Sequence, residues 1–369
     1  MAENNKTNKA LLPLSWLYGL GVWFRNKLFD WRILPSEEFS IPVISIGNIS
    51  VGGTGKTPHT EYLIRIFSKK YKVAVLSRGY KRKTKGFILA DEKASSQTIG
   101  DEPYQMFLKF PQIQVAVDAD RRRGIKNLLS LPEDQRPEII LLDDALQHRY
   151  VTPSLSILLT DSNRPYYEDF LLPVGRLRES SKNHSRADIV IVTKCPQMMK
   201  AMDYRVISGN LNLFPYQDTY FTSYQYGNLT PVFPQGNDEE GKNIQIIDKH
   251  STSILLVAGI AYPEELVNYI NSFTAHLSTL LYPDHHDFTI EDIKKITSTF
   301  EQISSPDKII ITTEKDAVRL LGNKHLPESI KSYIYYLPIE VSFHLEQENS
   351  FIQKIENHVK DITRNRIMA

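Results

Sequence analysis

Short apolar runs rich in β-branched residues recur along the first half of the chain, separated by stretches whose apolar residues fall at helical spacing. Residues 41–46 (IPVISI) are the first such run, and the spacing of Tyr62, Leu63, Ile66 and Phe67 predicts a helix over 59–70. Further strands are predicted at 73–76, 114–117, 138–142 (EIILL), 155–159 and 188–192 (DIVIV). Unbroken apolar runs of this length mark strands buried on both faces, so the pattern predicts a parallel sheet covered by helices. After about Pro215 the character changes. Residues 220–229, rich in Tyr, Thr and Ser, read as extended ribbon, and 235–242 as a polar loop. A second α/β set follows, with strands at 254–257, 308–312 (KIIIT) and 334–337, the last strand predicted, and helices at 263–273 and 290–300. Residues 351–368 predict a closing helix that returns to the first domain. The sequence contains no internal repeat and no low-complexity tract.

The N-terminal segment breaks this pattern. Residues 10–24 (ALLPLSWLYGLGVWF) carry no charge, and Arg25 and Lys27 follow. The run is shorter than the roughly 20 residues that span a bilayer. No small-residue cleavage pattern follows it, which excludes a secretory signal. All three tryptophans, Trp16, Trp23 and Trp31, lie here with Tyr18, Phe24 and Phe29. Two readings stand. The helix lies on a membrane surface, with its rings at headgroup level and its basic flank near anionic lipid, or it packs on the protein's own core. Elsewhere the composition is ordinary, with 41% hydrophobic and 24% charged among 369 residues, enough for a sizeable core and two domains. A net charge of +1 leaves no electrostatic footprint for nucleic acid, and none is expected as a partner. The single cysteine, Cys195, cannot form an intramolecular disulfide; it fits a reducing compartment and reads as a core residue.

The loop after the first strand carries the clearest chemistry. Ser50-Val51-Gly52-Gly53-Thr54-Gly55-Lys56-Thr57 sits between a predicted strand and a predicted helix, the context a phosphate cradle requires. Glycines let backbone N–H groups converge on phosphate oxygens, and the following helix adds the positive end of its dipole. In such a loop the lysine reaches the β- and γ-phosphates of a nucleotide, and the hydroxyl after it ligates Mg²⁺. The strict pattern has glycine where Ser50 stands.

Magnesium at a phosphate loop calls for a carboxylate at the end of a nearby strand, and Asp143-Asp144 follows 138–142. Gly100-Asp101-Glu102-Pro103 places two carboxylates at a helix start, where they serve catalysis or simply cap the helix. Asp284-His285-His286-Asp287 is a proton relay, a metal site or a surface loop, and no partner spacing supports zinc. Arg176 and Arg178 occupy a Pro/Gly-bounded loop and could neutralise charge on a transferring phosphoryl group. Arg121-Arg122-Arg123 meets an anionic substrate or forms a solvated helix face.

Together these motifs resemble one family. The set is Asn48 to Pro58, Ser77-Arg78-Gly79-Tyr80, Gly100-Asp101-Glu102-Pro103, Asp143-Asp144-Ala145-Leu146-Gln147-His148, Leu177-Arg178-Glu179, Asp284-His285-His286 and Thr312-Thr313-Glu314-Lys315-Asp316-Ala317. Their order and spacing are similar to those of the tetraacyldisaccharide 4'-kinases of lipid A biosynthesis, from the N-terminal helix to about Leu321. The resemblance tolerates a small hydroxyl residue at Ser50; Ala145 departs from it, since the family usually has glycine there. It implies an α/β fold: a P-loop NTPase-type parallel sheet core, a smaller α/β domain joined by a two-stranded ribbon, and a membrane-associated N-terminal helix. The divisions would be 1–35, 36–219, 220–345 and 346–369. It implies an ATP- and Mg²⁺-dependent kinase acting on the 4'-hydroxyl of an acylated glucosamine disaccharide 1-phosphate. The enzyme would be a monomer, monotopic on the cytoplasmic face of the inner membrane. Asp101 would be the general base and His285 its dyad partner, with Lys56 and Arg178 on the phosphates. Residues 50–57 would hold ATP; Thr57, Glu102, Asp143 and Asp144 would serve magnesium; Arg78, Arg121, Gln147 and His148 would contact the substrate. A lipid substrate favours the membrane reading of the N-terminal helix. Two rivals make different demands. A kinase of soluble sugars or nucleosides would pack that helix internally. A GTPase-type switch would carry Asn-Lys-x-Asp, and the nearest match, Thr193-Lys194-Cys195-Pro196, lacks both the Asn and the Asp.

Overall fold

The computed structural model describes residues 9–234, 244 and 251–368. The expected polar loop at 235–242 lies outside the described residues. In chain order the first unit contains α1 (Leu12–Asp30), β1 (Val43–Gly47), α2 (Lys56–Phe67), β2 (Val73–Ser77), β3 (Ile88–Leu89), α3 (Ser96–Ile99), α4 (Asp101–Lys109), β4 (Gln114–Val117) and α5 (Arg121–Leu129). It continues through β5 (Ile139–Asp143), β6 (Leu155–Asp161), β7 (Ile189–Thr193), α6 (Ala201–Leu211) and β8 (Asp218–Tyr226). Then come β9 (Thr230–Pro231), β10 (Ser253–Ala258), α7 (Glu264–Asn271), β11 (His276–Leu281), α8 (Ile290–Glu301), β12 (Lys308–Thr313), α9 (Glu314–Leu321), α10 (Glu328–Lys331) and β13 (Ile334–Leu337). The chain returns through β14 (Ile339–Phe343) and ends in α11 (Glu348–Met368).

Nine strands form the larger sheet, in the order β14-β8-β7-β6-β1-β5-β2-β4-β3. The seven inner strands are parallel, with an antiparallel strand at each edge. Every residue of β1, β2, β5 and β7 is buried, which is why these strands read as unbroken apolar runs. On one face Tyr62, Leu63 and Phe67 of α2, Met106 of α4 and Phe351, Ile355 and Val359 of α11 share a core with the sheet. Ile125 and Leu128 of α5 cover part of the other face. The parallel register places Ile46 opposite Asp143, so the loops after β1 and β5 emerge side by side. Ligands of open α/β sheets bind at such carboxyl ends.

The smaller sheet runs β11-β10-β12-β13-β9, with β9 antiparallel to the rest. The α8 and α9 helices pack on one face and α7 on the other. Several expectations need correction. The helix expected at 59–70 begins at Lys56, because the lysine and threonine of the phosphate loop already form its first turn. Ile334–Leu337 is not the last strand: β14 follows it and pairs antiparallel with β8. Both strands lie in the larger sheet, so the smaller sheet is narrower than the span 220–345. The β11 strand went unpredicted because it is mostly exposed and mixes apolar with polar positions.

The α1 helix docks by its polar side. Ser15 Oγ donates to Leu171 O at 2.9 Å, Asn26 Nδ2 to Glu179 Oε2 at 3.1 Å, and Arg25 to Gln147 O at 3.1 Å. Phe29 is buried, but most of the helix's large apolar side chains face outward: Trp16, Leu17 and Leu20 are each at least 60% exposed, and Trp23 and Phe24 at least half. Among the described residues no helix is long and apolar enough to cross a membrane.

Candidate active site

The phosphate loop is shaped from several sides. Gly52 and Gly55 take φ values of 119° and 86°, left-handed positions that side chains avoid. At Gly55 an added Cβ would also collide with the Tyr224 hydroxyl. Asn48 Nδ2 donates to Thr54 Oγ1 at 2.7 Å, and Thr193 Oγ1 to Thr54 O at 2.9 Å. His59, fully buried one turn into α2, meets Gly55 O through Nδ1 at 2.7 Å and Thr222 Oγ1 through Nε2 at 3.0 Å. A carbonyl only accepts, so Nδ1 carries the proton and Nε2 accepts from Thr222. Burial pushes this imidazole down to about 4, so it is neutral. Ser50 bridges Leu177 in antiparallel pairing and takes no left-handed φ, so this position makes no demand for glycine.

That pairing delivers an arginine. Val51 N donates to Arg176 O and Arg178 N to Ile49 O, each at 2.7 Å. The Arg178 guanidinium then reaches Asp144 with two bonds of 3.2 and 3.0 Å, Ser50 O at 3.1 Å, and Asn48 Oδ1. Lys56 Nζ stands 3.4 Å from Asn48 Oδ1 and 3.7 Å from Asp144. Burial works against ionisation of Asp144, but Lys56 and Arg178 outweigh it and hold the carboxyl below its usual range. Asp143 is different. Burial, and then the Asp144 charge, push it up to about 6. Its Oδ2 accepts from Ser77 at 3.2 Å, while Oδ1 is buried without a protein partner. A buried orphan carboxylate oxygen beside a phosphate loop fits a divalent cation. Thr57, Asp143 and Asp144 supply hard oxygen donors, the chemistry that magnesium takes. The turn after β5 uses Asp144 itself at φ 48°, and Ala145 is buried with no left-handed φ, so the expected glycine is not needed.

The expected substrate residues gather around this turn. Gln147 Nε2 donates to Asn48 O at 2.6 Å. His148 Nε2 accepts from Arg121 N at 3.3 Å, and burial together with Arg121 drops its imidazole to about 4. Arg121 is buried, and burial lowers it to about 10. Its charge is felt by Asp143 and Asp144, whereas Arg123 turns to Asp118 at 2.7 Å. Arg78 joins Lys81, Arg82 and Lys85 around a cationic cavity of about 500 Å³.

The second cluster joins the two units. Asp101 opens α4 and His285 lies in the loop after β11, at φ 61°. His285 Nδ1 is 3.3 Å from Asp101 Oδ2, and His285 Nε2 is 2.9 Å from Lys315 Nζ. Lysine is a pure donor, so the tautomer that satisfies both contacts carries its proton on Nδ1 and donates to Asp101. His286 turns away to Asp292 at 2.8 Å, which separates the two histidines. Glu102 faces Lys315 at 3.6 Å, and its charge also raises Asp143. Burial works against Asp101, yet His285 and Arg319 bring its carboxyl down to about 2. Arg319 was missed from the sequence, and Lys315 was quoted only within its motif and given no role. The available signal was the Glu314-Lys315-Asp316 start of α9, with Arg319 one turn on.

The family model described as tetraacyldisaccharide-1-P 4'-kinase matches residues 7–360. A curated relative from Parabacteroides distasonis, named tetraacyldisaccharide 4'-kinase, is 52% identical over 98% of this chain and 97% of its own. A relative of the same name from Flavobacterium johnsoniae is 45% identical over 96% of this chain and 99% of its own. Among solved structures, the "apo" form of LpxK from Aquifex aeolicus in complex with ATP superposes with a TM-score of 0.73 at 29% identity, covering 95% of this chain and 99% of that one.

Proposed function

The chain belongs to the tetraacyldisaccharide-1-P 4'-kinase family and is an ATP- and Mg²⁺-dependent kinase of the lipid A precursor, and we propose that Asp101 and His285 carry its proton transfer while residues 50–57, Lys56 and Arg178 hold the donor. The observation that carries this reading is the Asp101–His285 pair, closed across the two units beside the phosphate loop. In the reaction, the 4'-hydroxyl oxygen forms a bond to the γ-phosphorus and the bond from that phosphorus to the β-phosphate bridging oxygen breaks. ADP leaves, and the hydroxyl proton passes to Asp101. Two donors converge on Asp101 Oδ2, which leaves Oδ1 to receive that proton. A carboxylate this acidic stays ionised and suits a loose transition state, in which little proton transfer is needed early. Asp143 and Asp144, with Thr57, would hold magnesium, which when bound neutralises charge on the β- and γ-phosphates. Glu102 would stand close by. Lys56 and Arg178 rest on Asp144 and Asn48 and would turn to the γ-phosphate as charge develops there. The buried Arg121, with Arg78, Gln147 and His148, would receive the substrate's anionic sugar end.

The domain division follows the same reading. The core would span the nine-stranded sheet with α11, whose edge strands β8 and β14 would run on as the ribbon to the smaller unit, β9 to β13, and the docking of that unit on the core would bring the dyad together. The α1 helix would lie in the cytoplasmic face of the inner membrane. Its polar side is spent on the protein and Trp16, Trp23 and Phe24 are turned outward, the reverse of a helix covering a core. Tyr18 Oη bonds Arg178 O at 2.9 Å, so the helix that meets the lipid also touches the catalytic loop. Both members of the dyad come from one chain, so a monomer suffices.

Asp101→Asn tests the base. It should lower kcat on the lipid disaccharide 1-phosphate by about 10³-fold or more while ATP affinity is kept. Turnover at the wild-type rate would overturn the assignment.

A further inference from the structure

Two antiparallel helices make the contact between the units at this site, and each end of their seam is an ion pair. At the far end Lys109, which closes α4, meets Glu314 at the start of α9 and also Glu61 of α2, at 2.6 Å from the latter. At the reaction end Arg319 of α9 meets Asp101 at the start of α4, with Nη2 2.5 Å from Oδ2. Arg319 is buried. Its Nη1 is bonded at 3.1 Å to Asp316 Oδ1, and Asp316 is itself fully buried. Asp316 Oδ2 accepts from Gly259 N at 2.8 Å and Thr313 Oγ1 at 2.7 Å. The guanidinium is therefore gripped by the smaller unit through one nitrogen and reaches the core through another. Its Nη2 also lies 3.2 Å from His285 Nδ1.

Resting on the reading of Asp101 as base, we propose that Arg319 is a positioning residue for the reaction: it fixes the orientation of the Asp101 carboxylate, and does so when the smaller unit is docked. The physical case has three parts. A guanidinium is planar, so the angle between its bonds to Asp316 and Asp101 is set by the group itself and does not depend on rotatable bonds. Asp316 cannot follow a moving Asp101, because it is held by Gly259 and Thr313. And Arg319 and His285 both engage Oδ2, so the carboxylate is held by one oxygen with the other presented. His285 alone leaves Asp101 one bond about which to turn. A misplacement of about 1 Å at a reacting group can cost about 100-fold in rate.

A double-mutant cycle on the full chain tests this, with steady-state kinetics on detergent-dispersed lipid disaccharide 1-phosphate. Arg319→Ala should lower kcat by about 100-fold and leave KM for ATP within about twofold. Arg319→Lys should recover part of the loss, since an ammonium can meet one carboxylate in the right place but cannot span both. On the Asp101→Asn background, Arg319→Ala should cost less than about threefold more, because a residue acting through Asp101 has nothing left to position. Losses that multiply independently, or an Arg319→Ala enzyme at the wild-type rate, would overturn the proposal. If Arg319→Ala fails to fold, by its melting transition, the cycle is run with Arg319→Lys, whose own loss must vanish on the Asp101→Asn background or the proposal fails. The underlying reading fails separately: wild-type turnover by Asp101→Asn alone removes the base, whereas a crippled Asp101→Asn beside a normal Arg319→Ala removes the positioning role and leaves the base standing.

Discussion

At the scale of single residues, the legible part of the site was the part written contiguously. The run from Asn48 to Thr57 and the pair Asp143-Asp144 each announce phosphate chemistry in one stretch of sequence. Arg319 does not, since its partner Asp101 is 218 positions away and an arginine on an amphipathic helix reads as solvated. His59 was read only as part of a helix, for the same reason. Its neutral imidazole ties Gly55 O, at the left-handed corner of the phosphate loop, to Thr222 of β8. Removing it frees that corner. His59→Ala should therefore weaken ATP binding by about tenfold, the worth of one well-made hydrogen bond of about 1.4 kcal/mol. Titration calorimetry with ATP checks this; unchanged affinity with a lowered melting temperature would mean that His59 is only a packing residue.

At the scale of elements, strands buried on both faces were readable and edge strands were not. The runs at β1, β5, β7 and β10 are mostly apolar and buried along their whole length, whereas β11 and β14 mix polar and apolar positions at sheet edges, where one side meets water. Helix-to-helix seams are still less visible, because the ion pairs that join α2, α4 and α9 are scattered through the chain. Their consequence can be measured. Burial, and then the Glu314 charge, push the Glu61 carboxyl up to about 7, against the pull of Lys109. Between its ordinary value of 4.5 and about 7, the folded chain holds a proton that the unfolded chain has released. Stability from this group is thus complete at low pH, falls as pH rises through that window, and is level above it. Glu61→Gln cannot ionise and lacks this slope. Melting temperatures of the two proteins from pH 5 to 8.5 should show the wild type losing ground to the variant up to about pH 7 and keeping a constant offset beyond. A constant offset across the whole range would mean that Glu61 is ionised throughout.

At the scale of the whole molecule, the α1 helix turns an apolar surface away from the rest of the chain. The sequence left its two sides ambiguous, since apolar residues fill most of positions 10–24 and helical periodicity is weak there. Tertiary contacts resolve which side faces in: Ser15, Asn26 and Phe29 are buried, and Trp16, Leu20 and Trp23 are not. An exposed aromatic patch on an otherwise polar surface costs solubility unless something covers it. A lipid surface is the cover that suits a substrate whose acyl chains cannot leave the bilayer cheaply. Trp16→Glu combined with Leu20→Glu places two charges at the centre of that patch without touching Ser15, Tyr18, Arg25 or Asn26, whose bonds fasten the helix to the core. Co-sedimentation with vesicles containing anionic phospholipid should fall by about tenfold or more. Turnover of substrate embedded in those vesicles should fall with it. Turnover of detergent-dispersed substrate should stay within about twofold, because the phosphate loop and the dyad keep their supports. Unchanged vesicle binding would exclude the patch as the membrane face. An equal loss on dispersed substrate would instead show that α1 serves the catalytic loop through Tyr18 and Arg178, independently of any lipid surface.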